Sequence, residues 1–306
     1  MGAAADVSTV RTSEAPDLRL RERLKELWSH REILLNLTRK EVKVKYTSSV
    51  LGTAWSMLNP ILYLVVFSLV FQVVLRSKIP NFPIYLLSGL LAWNLFSVSL
   101  TTGARSVIDN SNLVKKVAFP HEILPLAAVG VALVDFVLQT AVLLLFILAS
   151  GYGFHVPALA VYPLAFVDLV VFTAATTMLL AAINVRYRDI QHLLNLGLLV
   201  WFWFTPIVYA GALVQRTLQQ HAILGVNLWN VFLLNPLSPI VFGFQRALYA
   251  IVRPVTSTGQ PITVLPAVSL PWVALVLAIV LGGSLLFLRW TWGRFFDLSA
   301  DFAEEL

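Results

Sequence analysis

Cysteine is missing from all 306 residues, which removes disulfides, thiolate metal sites and thiol nucleophiles from consideration. Charge is scarce too. Asp, Glu, Lys and Arg make up 12% of the chain, against about a quarter in a soluble domain. The carboxylates Asp6, Asp17, Asp109, Asp189, Asp297 and Asp301 stand singly, whereas a membrane-bound lipid-linked glycosyltransferase calls for clustered acids or an acidic metal motif in a surface loop. No Gly-x-x-x-x-Gly-Lys followed by Ser or Thr occurs, so the chain has no loop of that kind to cradle nucleotide phosphates. The polar first 50 residues contain no apolar stretch followed by a cleavage site, and no secretory signal peptide is expected.

Apolar runs are abundant. Hydrophobic residues make up 58% of the chain and the mean hydropathy is +0.80, the balance of a membrane protein. A helix crosses the hydrocarbon core with about 20 apolar residues. Six segments qualify, at 55–75, 84–102, 124–149, 158–183, 192–210 and 272–288. Six crossings put both termini on one side with the loops at 105–119 and 186–189. That side holds all the basic residues except Arg76, Lys78, Arg216, Arg246 and Arg253, so it is expected to be cytoplasmic. Residues 1–17 read as a flexible cytoplasmic start, 18–50 as a basic interface region, 51–290 as the transmembrane domain and 291–306 as a cytoplasmic tail.

Between residues 18 and 50, Leu20, Leu24, Leu27, Trp28, Leu34 and Leu35 recur at helical spacing among charges. The pattern describes an amphipathic helix lying at the inner headgroup layer. Thr38 and Glu41 stand at capping-box spacing, and the alternating V-K-V-K-Y that follows leaves its conformation open. The stretch Asn184 to Gln191, N-V-R-Y-R-D-I-Q, reads as a tight turn between the fourth and fifth spans, with an Arg–carboxylate pair able to fix its geometry. Residues 222–250 are long enough to span, yet Asn235-Pro236 breaks the helix in the middle. Two half-length helices entering and returning on the outer side are expected there. Asp135 and Asp168 fall near the middle of spans three and four, where a charge is a functional hypothesis by default. With no His or Lys partner at their depth, polar contacts between helices are preferred over a proton relay.

Four motifs in register, "LTRKEVKVKYTSSVLGTAWSMLNPILYLVVFSLVF", "NSNLVKKVAFPHEILPLAAVGVALVDFVL", "NVRYRDIQHLLNLGLLVWFWFTPIVY" and "LLNPLSPIVFGFQRALY", resemble the polysaccharide-exporting ABC-2 type permeases. This is the export family for O-antigen, teichoic acid, capsule and galactan. The resemblance runs from about Leu37 to the last span. It implies an all-α membrane subunit that pairs with a second copy of itself and two ABC ATPases. It also implies a lipid-linked polysaccharide carried out of the cytoplasm across the bacterial inner membrane in cell wall biogenesis, with no part for nucleic acid. ATP and Mg would be bound by the partner ATPase, with no cofactor, metal or catalytic site in this chain. An ABC-2 permease for a drug or lipid, or a membrane-bound lipid-linked glycosyltransferase, is the alternative.

The family's coupling helix falls in the first cytoplasmic loop, which places Ser106, Asp109, Ser111, Asn112, Lys115 and Lys116 at the ATPase, with Arg186, Arg188 and Asp189 nearby. Arg39, Lys43 and Lys45 are candidates for gathering an anionic lipid head at the entrance. A sugar packs its C–H faces on aromatic rings, so Tyr63, Phe67, Trp93, Trp201, Trp203, Phe204 and Tyr209 are candidates for lining a channel. Trp229, Asn235, Pro236 and Tyr249 are candidates for its outer gate.

Overall fold

A computed structural model describes residues 20–47, 54–74, 79–117, 119–223, 226–249 and 263–306. The expected flexible start at 1–17 and the basic residues Arg76, Lys78 and Arg253 lie outside them. Among the described residues the regular structure is helical apart from a two-residue antiparallel pairing, Ala222–Ile223 with Val226–Asn227. In order, they form α1 (Leu20–Ser29), α2 (Arg31–Thr47), α3 (Ala54–Ser68) running into a π-helical turn (Leu69–Val74), α4 (Phe82–Asp109), α5 (Ser111–Lys116), α6 (Ile123–Ala149), α7 (Val156–Leu159) and α8 (Tyr162–Arg186). There follow α9 (Ile190–Trp203), α10 (Gly211–Gln219), the strand pair, α11 (Leu228–Leu233), α12 (Leu237–Leu248), α13 (Leu270–Ser299) and α14 (Phe302–Glu305).

Four stretches are long and apolar enough to cross a membrane: α4, α6, α7 with α8, and α13. Two apolar helical segments are shorter, Pro60–Val74 and α9. The fifth expected span therefore falls short. α9 has 14 residues, or about 21 Å at the α-helical rise, against a core of about 30 Å. It ends because Pro206 disfavours helix at Thr205, and the chain turns through Thr205–Tyr209 into α10. Elsewhere the helices outrun the apolar runs. α4 continues to Asp109 and α13 to Ser299, so Arg105, Ser106 and Asp109 sit on the last turns of α4 rather than in a loop.

The central helix is α4, which packs against α6, α8 and α12, with α13 laid along α8. Its start is set by Asn81, in the left-handed region at φ 44°, with Pro83 in the first turn, where a missing N–H costs nothing. Close approach of α4 to α8 needs Gly103: a β-carbon there would lie 2.1 Å from Thr177 Cγ2. α13 opens on a Ser269 side chain that accepts from Trp272 N, which satisfies one of the free amide donors of a helix start.

The region before α3 departs from expectation. There are two helices with a break at His30, and V-K-V-K-Y is helical, inside α2. Thr38 and Glu41 are mid-helix and form no capping box. Thr38 Oγ1 donates to Leu34 O, and Glu41 sits 3.5 Å from Lys40. α2 packs on α6, with Thr38 against Gly130 and Lys45 and Tyr46 against Asp135. Both positions advance together, so α2 climbs along α6 in the same direction instead of lying across the spans.

Candidate functional site

At the end of α4 the chain bends at Asn110, whose Nδ2 donates to Ser106 O, and α5 begins. α5 stops at an extended Val117, and Pro120 blocks its continuation. The sequence-derived coupling residues gather here on two short pieces. Asp109 pairs with Arg105 at 3.6 Å, Ser106 Oγ donates to Gly103 O, and Val114 is buried while Asn112, Lys115 and Lys116 are exposed. One apolar anchor thus presents a polar, cationic ridge.

Arg186, Arg188 and Asp189 lie at the junction of α8 and α9. The expected pairing within N-V-R-Y-R-D-I-Q is not made by Arg186, whose Nε faces Glu305 Oε1 of α14 at 3.7 Å. Asp189 stands at the start of α9, where its carbonyl accepts from His192 N and Leu193 N. A buried inner cluster joins this junction to α5 through Val107, Val114, Phe119, Val185, Trp292, Phe295 and Phe302. Phe302 stands edge-on to Phe295 at 5.6 Å and against His121 at 6.0 Å, and Trp292 Nε1 donates to Glu122 Oε1. The segment after α13 therefore holds both turns together, a role that its sequence, read simply as a tail, does not suggest.

Burial among these rings pushes the His121 imidazole below its ordinary 6.5. The neutral form is the folded form, so the packing contributes fully above the unfolded pKa and is lost as pH falls through the depressed one. Between about pH 7 and pH 5, limited proteolysis after Ser299 should accelerate in the native chain but not in His121→Gln. Equal acceleration in both would place the pH response elsewhere.

The aromatic candidates divide. Tyr63 stacks on Phe67 at 5.8 Å, Phe67 on Phe202 at 6.0 Å, and Phe202 meets Trp93 edge-on at 5.3 Å. Trp93 thus lies in the buried core, with Phe67 half-buried against it. Trp201 packs on Phe96 at 5.0 Å. Tyr209 accepts from Tyr85 through its backbone carbonyl, and its hydroxyl donates to Trp203 O. Tyr63, Trp203 and Phe204 face outward, with 41%, 51% and 66% of their surface exposed.

Asn235 is the hub of the turn between α11 and α12. Its Oδ1 accepts from Trp201 Nε1 at 2.8 Å and from Leu237 N at 3.2 Å. Its Nδ2 donates to Ser238 Oγ, Thr205 Oγ1 and Phe204 O at 3.0 to 3.3 Å. An indole N–H only donates, which fixes the orientation of the amide. Pro236 then starts α12. So Asn235-Pro236 separates two short helices, as expected, and also ties them to the end of α9. Before them, Ala222–Ile223 and Val226–Asn227 pair as short strands rather than helix, and the Asn227 side chain caps α11 by accepting from Trp229 N. Trp229 is buried against Phe232 and Phe242. Tyr249 is buried too, its hydroxyl donating to Pro80 O and its carbonyl accepting from Tyr152. An apolar groove of about 580 Å³ runs beside Trp201, Phe204, Asn235 and Pro236.

The entrance candidates lie on different faces. Arg39 and Lys43 are exposed on the outer side of α2. Lys45 Nζ reaches across to Asp135 Oδ2 at 2.5 Å, and Tyr46 donates to Asp135 Oδ1. The expectation that no Lys stands at the depth of Asp135 is thus corrected: the partner comes from α2, 90 residues away. Helical periodicity within α6 carries no trace of it. Asp168 matches the expected helix-to-helix polar contact, accepting from Ser284 Oγ of α13 at 2.9 Å. Behind α2, a cavity of about 610 Å³ opens toward α4 and α6, lined by Lys40, Glu41, Lys45, Thr101, Thr102, Arg105 and Asp109 among others.

Comparison with known proteins matches residues 33–249 to the ABC-2 type transporter family. The O-antigen export system permease protein RfbA of Myxococcus xanthus is 36% identical over 257 residues, 82% of this chain and 93% of that protein. Two Klebsiella pneumoniae proteins of the same name are 31% identical over 185 residues, 60% of this chain and 71% of theirs, and 29% identical over 215 residues, 70% and 79%. With a family match across most of its length and several long apolar helices, this chain belongs to the ABC-2 type transporter family as a multi-pass membrane protein.

Proposed function

We propose that the chain is the permease subunit of an ATP-driven exporter that moves a lipid-linked polysaccharide from the cytoplasm across the bacterial inner membrane. The observation that carries this reading is the similarity to O-antigen export permeases along nearly the whole of one relative, which favours a glycan over a drug or lipid cargo. In this reading α3 with its π turn, and α9 prolonged by the turn through Tyr209, complete six crossings, α11 and α12 form a re-entrant outer hairpin, and both termini are cytoplasmic. The outward aromatics Tyr63, Trp203 and Phe204 then face a channel shared with a second copy. A polymer needs many weak contacts and no deep site, since conduction requires binding weak enough to leave.

The energy comes from two ABC ATPases that hold the nucleotide and Mg, and α5 is the element they engage. Its shape supports this: a buried Val114 with Asn112, Lys115 and Lys116 outward. The purified chain should show no ATP hydrolysis, and a photo-crosslinker at Asn112 in the full complex should capture the ATPase subunit. Adducts with lipid alone would remove α5 from that role. At the entrance, Arg39→Gln with Lys43→Gln should lower export while the complex still assembles. Each basic group near an anionic surface contributes about 1 kcal/mol. Unchanged export in vesicles containing anionic lipid would refute the gathering role.

A further inference from the structure

Asp135 sits on α6 with its side chain 9% exposed and with both oxygens held by α2, one by Lys45 and one by Tyr46. An unpaired carboxylate in such surroundings is costly, so these two donors fix where α2 ends. Lower down, Gly130 lets α2 come close: a β-carbon there would stand 2.8 Å from Thr38 Oγ1 and 3.6 Å from Thr38 Cβ. Away from this line of contact, α2 and α4 are separated by the cavity that Lys45 also lines. The other charges on its wall are matched locally, Lys40 to Glu41 at 3.5 Å and Arg105 to Asp109 at 3.6 Å. Lys45 alone of these three cations takes its partner from across the helix boundary, and its own side chain is 37% exposed.

We infer that Asp135 is a positioning residue of the entrance: it and Tyr46 hold α2 on α6 and present Lys45 at the cavity, where an anionic lipid diphosphate head competes with Asp135 for the lysine. The inference rests on the export reading for the identity of the anion, but the docking of α2 does not depend on it. A carboxylate and a diphosphate offer the ammonium group the same charge-assisted hydrogen bond. When Lys45 transfers to the incoming head, Asp135 keeps Tyr46, and α2 loses one of the two hydrogen bonds that Asp135 makes to it. Loading of the entrance and loosening of α2 are then one event.

The chain has no cysteine, so an engineered pair reports without background. Thr38→Cys with Gly130→Cys places two β-carbons at a separation that suits a disulfide, about 3.5–4.5 Å. In the complete complex in phosphatidylcholine vesicles, oxidation should close this bond readily. Asp135→Asn should slow closure about fivefold, the scale of one lost contact between neighbours, and Asp135→Glu should restore it. Adding polyprenyl diphosphate to the vesicles should slow closure in the Asp135 chain and leave Lys45→Gln indifferent, whereas free inorganic diphosphate should act weakly if the lipid tail is needed to bring the head to the site. Closure indifferent to residue 135 would overturn the positioning role. Closure that depends on residue 135 but responds to neither diphosphate would overturn the competition for Lys45. ATP hydrolysis in the same vesicles, followed against lipid-linked glycan, tests the export reading separately.

Discussion

Asn235→Ala should lower the unfolding temperature of the assembled complex and leave its outer end leaky to ions. The alanine removes an acceptor from Trp201 Nε1 and Leu237 N and a donor from Ser238, Thr205 and Phe204 at once. A buried group left without its partner costs about 1–3 kcal/mol. Because Asn235 is partly buried, a loss of about 2 kcal/mol is expected, with Trp201 accounting for most of it. Trp201→Phe combined with Asn235→Ala should then cost less than the two changes added together, since both partners are gone. Thermal unfolding in detergent reads the stability and ion flux through proteoliposomes reads the seal. Full additivity in the double variant would show that the indole and the amide are not a unit. A tight seal in an Asn235→Ala complex of lowered stability would make the α11–α12 turn a packing element only.

A larger loss is expected from Gly103→Leu. At the crossing of α4 and α8 even a single β-carbon would meet Thr177 Cγ2 at 2.1 Å, and Thr177 is itself fully buried, so neither helix can give without moving the other. Overpacking a filled interior costs about 1–3 kcal/mol, sometimes more. Here it acts on the helix that carries α5 at its end. Little assembled protein should survive gel filtration. Gly103→Ala should be milder, and Thr177→Ala should rescue it by removing the methyl group it strikes. If Gly103→Ala assembles no better with Thr177→Ala than without it, the close approach is not what limits this crossing.

The membrane class, the long apolar helices and the break at Asn235-Pro236 could be read directly, because each is written in a run of neighbouring residues. Composition reports the solvent, and proline removes a backbone donor wherever it stands. The shortness of α9 was not legible. Its apolar run continues past Trp203, and hydropathy does not register that Pro206 turns the chain. Nor was the helical state of V-K-V-K-Y, whose alternation mimics a strand until Thr38, Lys45 and Tyr46 find α6.

Of the candidate residues, those of α5 and Asn235 lie where their own segments put them. The partners of Lys45 and Arg186 do not: Asp135 is 90 residues from Lys45, and Glu305 belongs to a segment that sequence marks only as a polar tail. By itself the sequence determined the solvent, where the long apolar runs lie and the helix break at Asn235-Pro236, all consequences of local chemistry. Which charge meets which, whether a Trp faces the interior or the outside, and how α2 climbs α6 were decided by tertiary packing. A buried carboxylate must be satisfied by whatever donor the fold brings within reach, and no local pattern records which one that is.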